Sequence, residues 1–177
     1  SYRIDEDITC IKGLSGEFMY LVEGAEKAVL IDTGLGAGNI KEYVDRLTKL
    51  PYIVIHSHGH LDHVGGASLY DSVYISPKDV PMLGSTNDIE GRKKYLESIL
   101  KDHSVSMNDY ISVGEVECLP IEDGDLFDLG GLTIEAIAAP GHTDGSMCFL
   151  LKEKRILFTG DACNSFTFLF LEGCLPI

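Results

Sequence analysis

Four of the six histidines in this 177-residue chain lie within eleven residues, in the segment HSHGHLDHVGG. His58, His60 and Asp62 follow one another at two-residue spacing, which points side chains to one side of an extended backbone. His63 comes directly after them, and His56 precedes them. Imidazole nitrogens and carboxylate oxygens are ligands that borderline-soft divalent metals such as zinc accept. The segment therefore predicts a metal site on a loop, where imidazoles would serve core packing poorly.

Two later segments offer the same kind of ligand. PGHTDGS, residues 140–146, contains His142 and follows the apolar run LTIEAIAA. TGDAC contains Asp161 and follows the run RILF. A single His or Asp at the end of a strand indicates little. Three ligand-bearing loops, each directly after a predicted strand, indicate one shared site.

The elements that must position these loops can be predicted from short apolar runs bounded by glycine and proline. The predicted strands are ITCIKG, FMYLVEG, AVLIDTG, YIVIH, SVYIS, ECLPI, LTIEAIAA, SMCFLLK and RILFTG. Ile40, Val44 and Leu47 recur at helical spacing in NIKEYVDRLTKL, and GGASLY begins another short helix. Two strand-rich halves with helices outside them predict a layered sandwich of two packed sheets.

Two segments leave alternatives open. The glycines at 34, 36 and 38 resemble a nucleotide-binding loop, but a plain strand-to-helix turn is favoured, because the βαβ spacing and the downstream acid of such loops are not evident. Residues 77–112 are predicted to form a helical insertion in a single domain that spans residues 1–177. In that insertion IEGRKKYLESILKD places Ile89, Leu96, Ile99 and Leu100 on one helical face. It is either a cover over a pocket or a simple packing helix.

Composition restricts the partners. The formal net charge of -14 repels phosphate backbones, so we expect no nucleic-acid partner. No apolar run reaches the roughly 18 residues that a membrane span needs, so we expect no membrane partner either. Five scattered cysteines without a CxxC pair favour a reducing, cytoplasmic location. Of these, Cys163 lies two residues after Asp161, yet a ligand role for it is the less favoured interpretation.

Together HxHxDH, the later PGHT, the later GD and the early IDTG resemble the metallo-β-lactamase-fold metallohydrolase superfamily, in the same order along nearly the whole chain. The resemblance implies an α/β (α+β) fold, a four-layer αββα sandwich of two mixed sheets with a binuclear metal site at one edge. It implies that His58, His60 and His142 bind a first metal, that Asp62 and His63 bind a second, and that Asp161 bridges both.

The same resemblance implies that Asp32 orients ligands from behind the site, and His56 is given a similar supporting or structural role. Members of the family usually add a further C-terminal histidine to the second metal, but no histidine follows His142 here. The C-terminal part of the family domain is therefore expected to be missing, which leaves the second metal with one ligand fewer.

The predicted cofactors are two divalent metal ions, with zinc preferred and iron or manganese as alternatives, because mixed imidazole and carboxylate ligands suit all three. The predicted function is a metal-dependent hydrolase that uses a metal-bound hydroxide on a small ester, thioester, lactone or amide, glyoxalase II-like or β-lactamase-like, with Asp62 as the catalytic proton carrier. Two alternatives stay open. One is a mononuclear-iron, persulfide dioxygenase-like redox enzyme on the same fold, and the other is a metal-binding module without turnover. Flavodiiron proteins are disfavoured, because they carry a glutamate where this chain has His60.

Overall fold

The structure is a computed structural model that describes residues 1–100, 109–111 and 114–163, without the side chains of residues 85–87. His103, a histidine outside the predicted motifs, lies beyond the described residues. So do part of the predicted 77–112 insertion and the C-terminal stretch SFTFLFLEGCLPI.

The larger sheet holds seven strands that are neighbours in chain order. They are β1 (Tyr2–Asp5), β2 (Ile8–Lys12), β3 (Phe18–Glu23), β4 (Ala28–Ile31), β5 (Tyr52–Ile55), β6 (Ser72–Ile75) and β7 (Glu117–Pro120). The first four pair antiparallel and β4 to β7 pair parallel, so this sheet is mixed. Its parallel half sends the carboxyl ends of β4, β5 and β6 to one edge.

The central strands of this sheet are apolar at every position because both of their faces are covered. Val29 and Ile31 of β4 pack into the core between the two sheets, whereas Leu30 between them packs into a second core on the outer face. Ile55 and Val54 of β5 divide in the same way. Burial on both faces produces continuous hydrophobic runs rather than alternation, which is why AVLI and YIVI are readable as strands.

The second sheet packs on the first through a shared apolar core. Its strands are β8 (Leu126–Asp128), β9 (Thr133–Ala138), β10 (Met147–Leu151) and β11 (Ile156–Phe158), in the spatial order β11-β10-β9-β8. Ile134 and Phe149 are fully buried there, against Val22 and Ile31 of the first sheet. All three strand pairings are antiparallel, so the described part of this sheet differs from the mixed sheet that was predicted. Short turns join its strands, and such turns connect antiparallel neighbours.

The helices are short. They are α1 (Ile40–Leu47), α2 (Leu61–Val64) and α3 (Ile89–Ile99), with 3-10 helices at Ala67–Leu69 and Val80–Asn87. The loop from Gly34 to Gly38 joins β4 to α1, so it is the strand-to-helix turn that was favoured over a nucleotide loop. The side chain of Asn39 caps α1 by accepting a hydrogen bond from the amide of Glu42 at 3.0 Å.

Val44 is the buried residue of α1 and packs on the outer face of the first sheet. We expect Val44→Ala to lower the free energy of unfolding by about 2 kcal/mol, because two buried methyl groups are lost. Arg46→Ala on the same helix is the control. The Arg46 and Glu42 side chains are 65% and 66% exposed, so losing their pair should cost about 0.5 kcal/mol or less. Urea denaturation of both variants measures the difference, and equal losses would contradict this packing.

α3 lies in the predicted 77–112 insertion, and the residues on its buried face differ from those that were predicted. Leu96 is buried as expected, but Ile99 is 42% exposed. Arg92 is fully buried in its place, where its guanidinium donates hydrogen bonds to the backbone carbonyls of Leu35, Gly65 and Ile111 at 3.1, 3.2 and 2.6 Å. A charged residue that satisfies three carbonyls therefore attaches α3 to the loops beside the histidine cluster.

Among the described residues, no helix has both the length and the apolar character that crossing a membrane requires.

Candidate metal centre

Three of the predicted ligands form a compact imidazole cluster where the two sheets meet. His58 and His60 follow β5, and His142 lies in the turn between β9 and β10. The ring centroids are 4.8 Å apart for His58 and His60, 4.7 Å for His58 and His142, and 4.6 Å for His60 and His142. His60 Nδ1 lies 2.8 Å from His142 Nε2. A backbone bond from Met147 N to Ser57 O, 2.8 Å long, joins the two loops at this edge.

A second group of donors shares His58 with the first. It consists of His58, His63 and Asp161, and in each group one ligand atom per residue lies within 4.8 Å of the others. Asp161 follows β11, and its Oδ2 lies 3.7 Å from His63 Nε2 and 3.5 Å from His142 Nε2. The Asp161 carboxylate therefore reaches both groups.

The donors fit a divalent cation in kind and in placement. His58 Nε2 is buried and has no hydrogen-bond partner among the described residues, although buried polar nitrogens are normally paired. A divalent cation held between these imidazoles would accept the lone pair of each nitrogen that binds it, including that of His58 Nε2. Zinc, iron and manganese all accept such nitrogen and oxygen donors.

Burial sets the protonation of these imidazoles. It lowers the pKa of His58 well below the ordinary value, and the neighbouring His63 lowers it further. Burial, followed by the charge of His142, also lowers the pKa of His60. Both rings are therefore neutral at pH 7, which is the form that binds a metal. Burial alone would lower the pKa of His63 too, but the charge of Asp32, the nearby Asp161 carboxylate and a hydrogen bond to Asp32 raise it well above the ordinary value.

Asp32 lies behind the second group in a backbone conformation that residues other than glycine rarely adopt. Its φ is 64°, and it is 2% exposed. Its carboxylate accepts hydrogen bonds from Ser57 N and Ser57 Oγ at 2.7 Å each and lies 2.8 Å from His63 Nδ1. Burial would raise the pKa of this carboxyl, but the charge of His63 and its contacts with His56 and His63 lower it below the ordinary value. An ionised Asp32 thus fixes the His63 ring and leaves Nε2 directed at Asp161.

His56 lies beside this carboxylate but in neither donor group. It is fully buried, and its Nδ1 lies 3.7 Å from Asp32 Oδ1, too far for a hydrogen bond. Cys163 is exposed and also lies outside both groups. A supporting or structural role for His56 stays a prediction.

Asp62 is placed differently from the extended arrangement that its spacing suggested. The chain turns into α2 at Leu61, with Val64 N bonded to His60 O at 3.1 Å, so Asp62 and His63 are helical. Asp62 is partly exposed and lies in neither donor group. Its Oδ2 instead accepts a hydrogen bond from the hydroxyl of Tyr95 on α3 at 3.2 Å.

Three residues near the centre carry no motif that sequence reasoning could use. Ser57 links Asp32 to His58, since its hydroxyl lies 3.1 Å from His58 Nδ1. Tyr95 contacts Asp62 from the 77–112 segment. Asp79, in the turn after β6, is buried and contacts both histidine loops. The one available signal was the position of Asp79 just past a parallel strand, at the edge where Asp32 and His58 also lie.

A two-sheet α/β sandwich with an imidazole and carboxylate cluster at its edge defines a class of metal-binding hydrolase folds. The chain belongs to the metallo-beta-lactamase superfamily, whose model matches residues 13–170. The crystal structure of TTHA1623 in a di-iron-bound form superposes with a TM-score of 0.65 and 25% identity, covering 96% of this chain and 79% of that chain. The predicted family and fold class are thereby confirmed.

Among curated proteins, the human acyl-coenzyme A thioesterase MBLAC2 is 31% identical over 158 residues, which are 81% of this chain and 57% of that protein. The atrochrysone carboxyl ACP thioesterase dmxR1 of Cryptosporiopsis sp. (strain 8999) is 30% identical over 156 residues, covering 84% of this chain and 38% of that protein. The chain therefore spans roughly half the length of these relatives or less.

Proposed function

We propose that this chain carries the metal centre of a metal-dependent hydrolase that cleaves small acyl thioesters, within the wider class of esters, lactones and amides. The observation that carries the proposal is the pair of donor groups sharing His58, with Asp161 reaching both. Three loops from two sheets converge on this arrangement. We infer that it holds two neighbouring divalent cations, with zinc preferred.

A divalent ion in this position supplies Lewis acidity, lowering the pKa of a coordinated water toward about 7 and polarising an acyl carbonyl. The chain's own residues supply the rest. Asp32 and Ser57 hold His63 and His58 in place through a buried hydrogen-bond network. We assign proton transfer to Asp62, which is partly exposed and lies beside His63. Its carboxylate accepts the proton of the attacking water and returns that proton to the leaving thiolate. The Tyr95 hydroxyl donates a hydrogen bond to one oxygen of the Asp62 carboxylate.

The preference for thioesters is supported by the relatives. Human MBLAC2 and the fungal dmxR1 are both named thioesterases, and they match most of this chain. A thiolate is also a good leaving group, which favours cleavage of the acyl–sulfur bond. Other features fit a cytoplasmic enzyme of small molecules. The four described cysteines, Cys10, Cys118, Cys148 and Cys163, are free thiols, and the net charge of -14 disfavours nucleic acid.

The test is a panel of substrates offered to the zinc-loaded chain: a short acyl-coenzyme A, an aryl ester, a lactone and a β-lactam. We expect release of free thiol from the thioester at a kcat/KM at least about 10-fold above the other substrates, since recognition of one extra group contributes about 1–3 kcal/mol. A chelator should abolish the reaction and added zinc should restore it. Metal binding without hydrolysis of any substrate would contradict the proposal and favour a metal-binding module.

A redox enzyme is the alternative, and it needs iron, which the similar TTHA1623 holds in its di-iron-bound form. The same donors accept iron, and a mononuclear-iron enzyme would consume oxygen with a low-molecular-weight persulfide. Iron-loaded protein in an oxygen electrode decides between the two. Persulfide-dependent oxygen uptake with no thioester cleavage by the zinc form would favour the redox enzyme.

A further inference from the structure

Asp79 is a buried carboxylate that joins the two histidine loops. It lies in the turn after β6 and is 1% exposed. Its Oδ2 accepts hydrogen bonds from Gly59 N at 2.9 Å and from Thr143 Oγ1 at 2.7 Å. Its Oδ1 accepts a third, from Gly145 N at 2.9 Å. All three partners donate, which is the arrangement that an ionised carboxylate satisfies and a neutral amide does not.

The three donors flank the predicted ligands of the first metal. Gly59 lies between His58 and His60, and Thr143 directly follows His142. One carboxylate therefore holds the backbone of one ligand loop and both the backbone and a side chain of the other. These are the loops whose histidine nitrogens must stay within a few ångströms of one another to share a cation.

Both loops have glycine where Asp79 approaches them. A Cβ at Gly59 would lie 2.8 Å from the carbonyl oxygen of Asp79, and a Cβ at Gly145 would lie 2.5 Å from its Oδ1. A real Cβ does not approach other atoms this closely, so a side chain at position 59 would displace the backbone of Asp79, and one at position 145 would displace its carboxylate. Glycine at position 59 therefore leaves room for Asp79, in addition to adding no bulk between the imidazoles.

We propose that Asp79 is a positioning residue that sets the distance between the His58–His60 loop and His142 before metal binds. The proposal rests on the metal site of the proposed function but not on its thioester substrate. Groups that hold metal ligands in place from behind contribute about 10- to 100-fold to metal affinity. Asp79 does so through the backbone and through Thr143 rather than through the imidazoles, which separates it from Asp32.

Asp79→Asn tests this directly. The amide nitrogen of asparagine faces either Gly145 N or the Gly59 and Thr143 donors, so at least one donor loses its acceptor. We expect zinc affinity, measured by competition with a chromophoric chelator, to fall about 10- to 100-fold. Circular dichroism should show that the metal-free variant stays folded at the temperature of the titration. Asp71→Asn is the matched control, because Asp71 is exposed and directly precedes β6. It should bind zinc as the unmodified chain does.

A second pair of variants keeps the test decisive if Asp79→Asn does not fold. Thr143→Val removes one donor to Asp79 and preserves the side-chain shape, whereas Thr143→Ser keeps the hydroxyl. We expect Thr143→Val to weaken zinc binding and to alter the visible absorption of the cobalt-substituted protein, and Thr143→Ser to restore both. Unchanged zinc affinity in folded Asp79→Asn, or equal affinities in the two Thr143 variants, would overturn the proposal. If the unmodified chain binds zinc but cleaves no thioester, the substrate proposal is contradicted. The role of Asp79 is then still decided by the zinc affinities of these variants.

Discussion

Alanine at position 58 is expected to weaken zinc binding by about 100- to 1,000-fold. Structural zinc sites bind with about 10–16 kcal/mol shared among four ligands, so one ligand contributes about 2.5–4 kcal/mol. His58 is the residue to remove, because it belongs to both donor groups. Its loss should lower metal content at both positions, whereas His60→Ala removes a member of one group. His142→Ala should resemble His60→Ala.

Elemental analysis of the purified variants, after dialysis against a fixed low concentration of free zinc, measures this ranking. The control is Asp144→Ala. Asp144 lies two residues after His142, but its side chain is 49% exposed and pairs with Lys78 at 3.0 Å. That variant should keep the metal content of the unmodified chain. Equal metal in His58→Ala, His142→Ala and Asp144→Ala would remove the basis for the site, and the metal count per chain would show whether one or both groups fill.

The sequence was most informative where local pattern and tertiary burial agree. β4 and β5 are covered on both faces, so their apolar runs identify them as strands without alternation. β1 was missed because its residues are mostly exposed and its sequence YRID carries no buried face. β8 was missed because three residues, LFD, are too few to show a pattern. Edge strands and short strands form because a neighbouring strand pairs with them. The sequence pattern of one strand contains no information about that pairing.

The candidate site shows the same division. His58, His60, His142 and Asp161 were predicted to share one site because each follows a strand, and the structure brings all four together. The spacing of Asp62 was misleading, because the chain leaves extended backbone for α2 at Leu61. Periodicity of two cannot report where a loop becomes a helix, since the deciding hydrogen bonds run from His60 O to residues that follow it.

Residues that act through long-range hydrogen bonds left no trace in the sequence pattern. The helical pattern predicts that the charged Arg92 faces solvent. Arg92 is buried instead, because three carbonyls from distant loops accept hydrogen bonds from its guanidinium. Ile99 reads as a core residue on the same helix, yet it is exposed. Helical periodicity predicts which residues share a face, but which face turns inward depends on partners that lie about 20 or more residues away in the chain.

The second large effect is expected from Asp62→Asn in the thioester assay. Asparagine keeps the size of the side chain and can still accept the hydrogen bond from Tyr95, but it cannot carry a proton. Proton transfer by a positioned side chain contributes about 100- to 10,000-fold, so kcat should fall by at least about 100-fold. KM should change little, because asparagine keeps the size and shape of the side chain.

Two measurements separate proton transfer from metal binding. If Asp62 also binds the second metal, as the family resemblance implies, zinc content falls together with kcat. If it acts through the proton alone, zinc content stays constant while kcat falls.

Tyr95→Phe is the matched variant, because it removes the 3.2 Å hydrogen bond and leaves the carboxylate intact. It should slow the reaction by about 10-fold or less, since one neutral hydrogen bond contributes about 0.5–1.5 kcal/mol. Unchanged kcat in Asp62→Asn would contradict the proton role of Asp62 and favour Asp161, whose carboxylate lies near both His63 and His142.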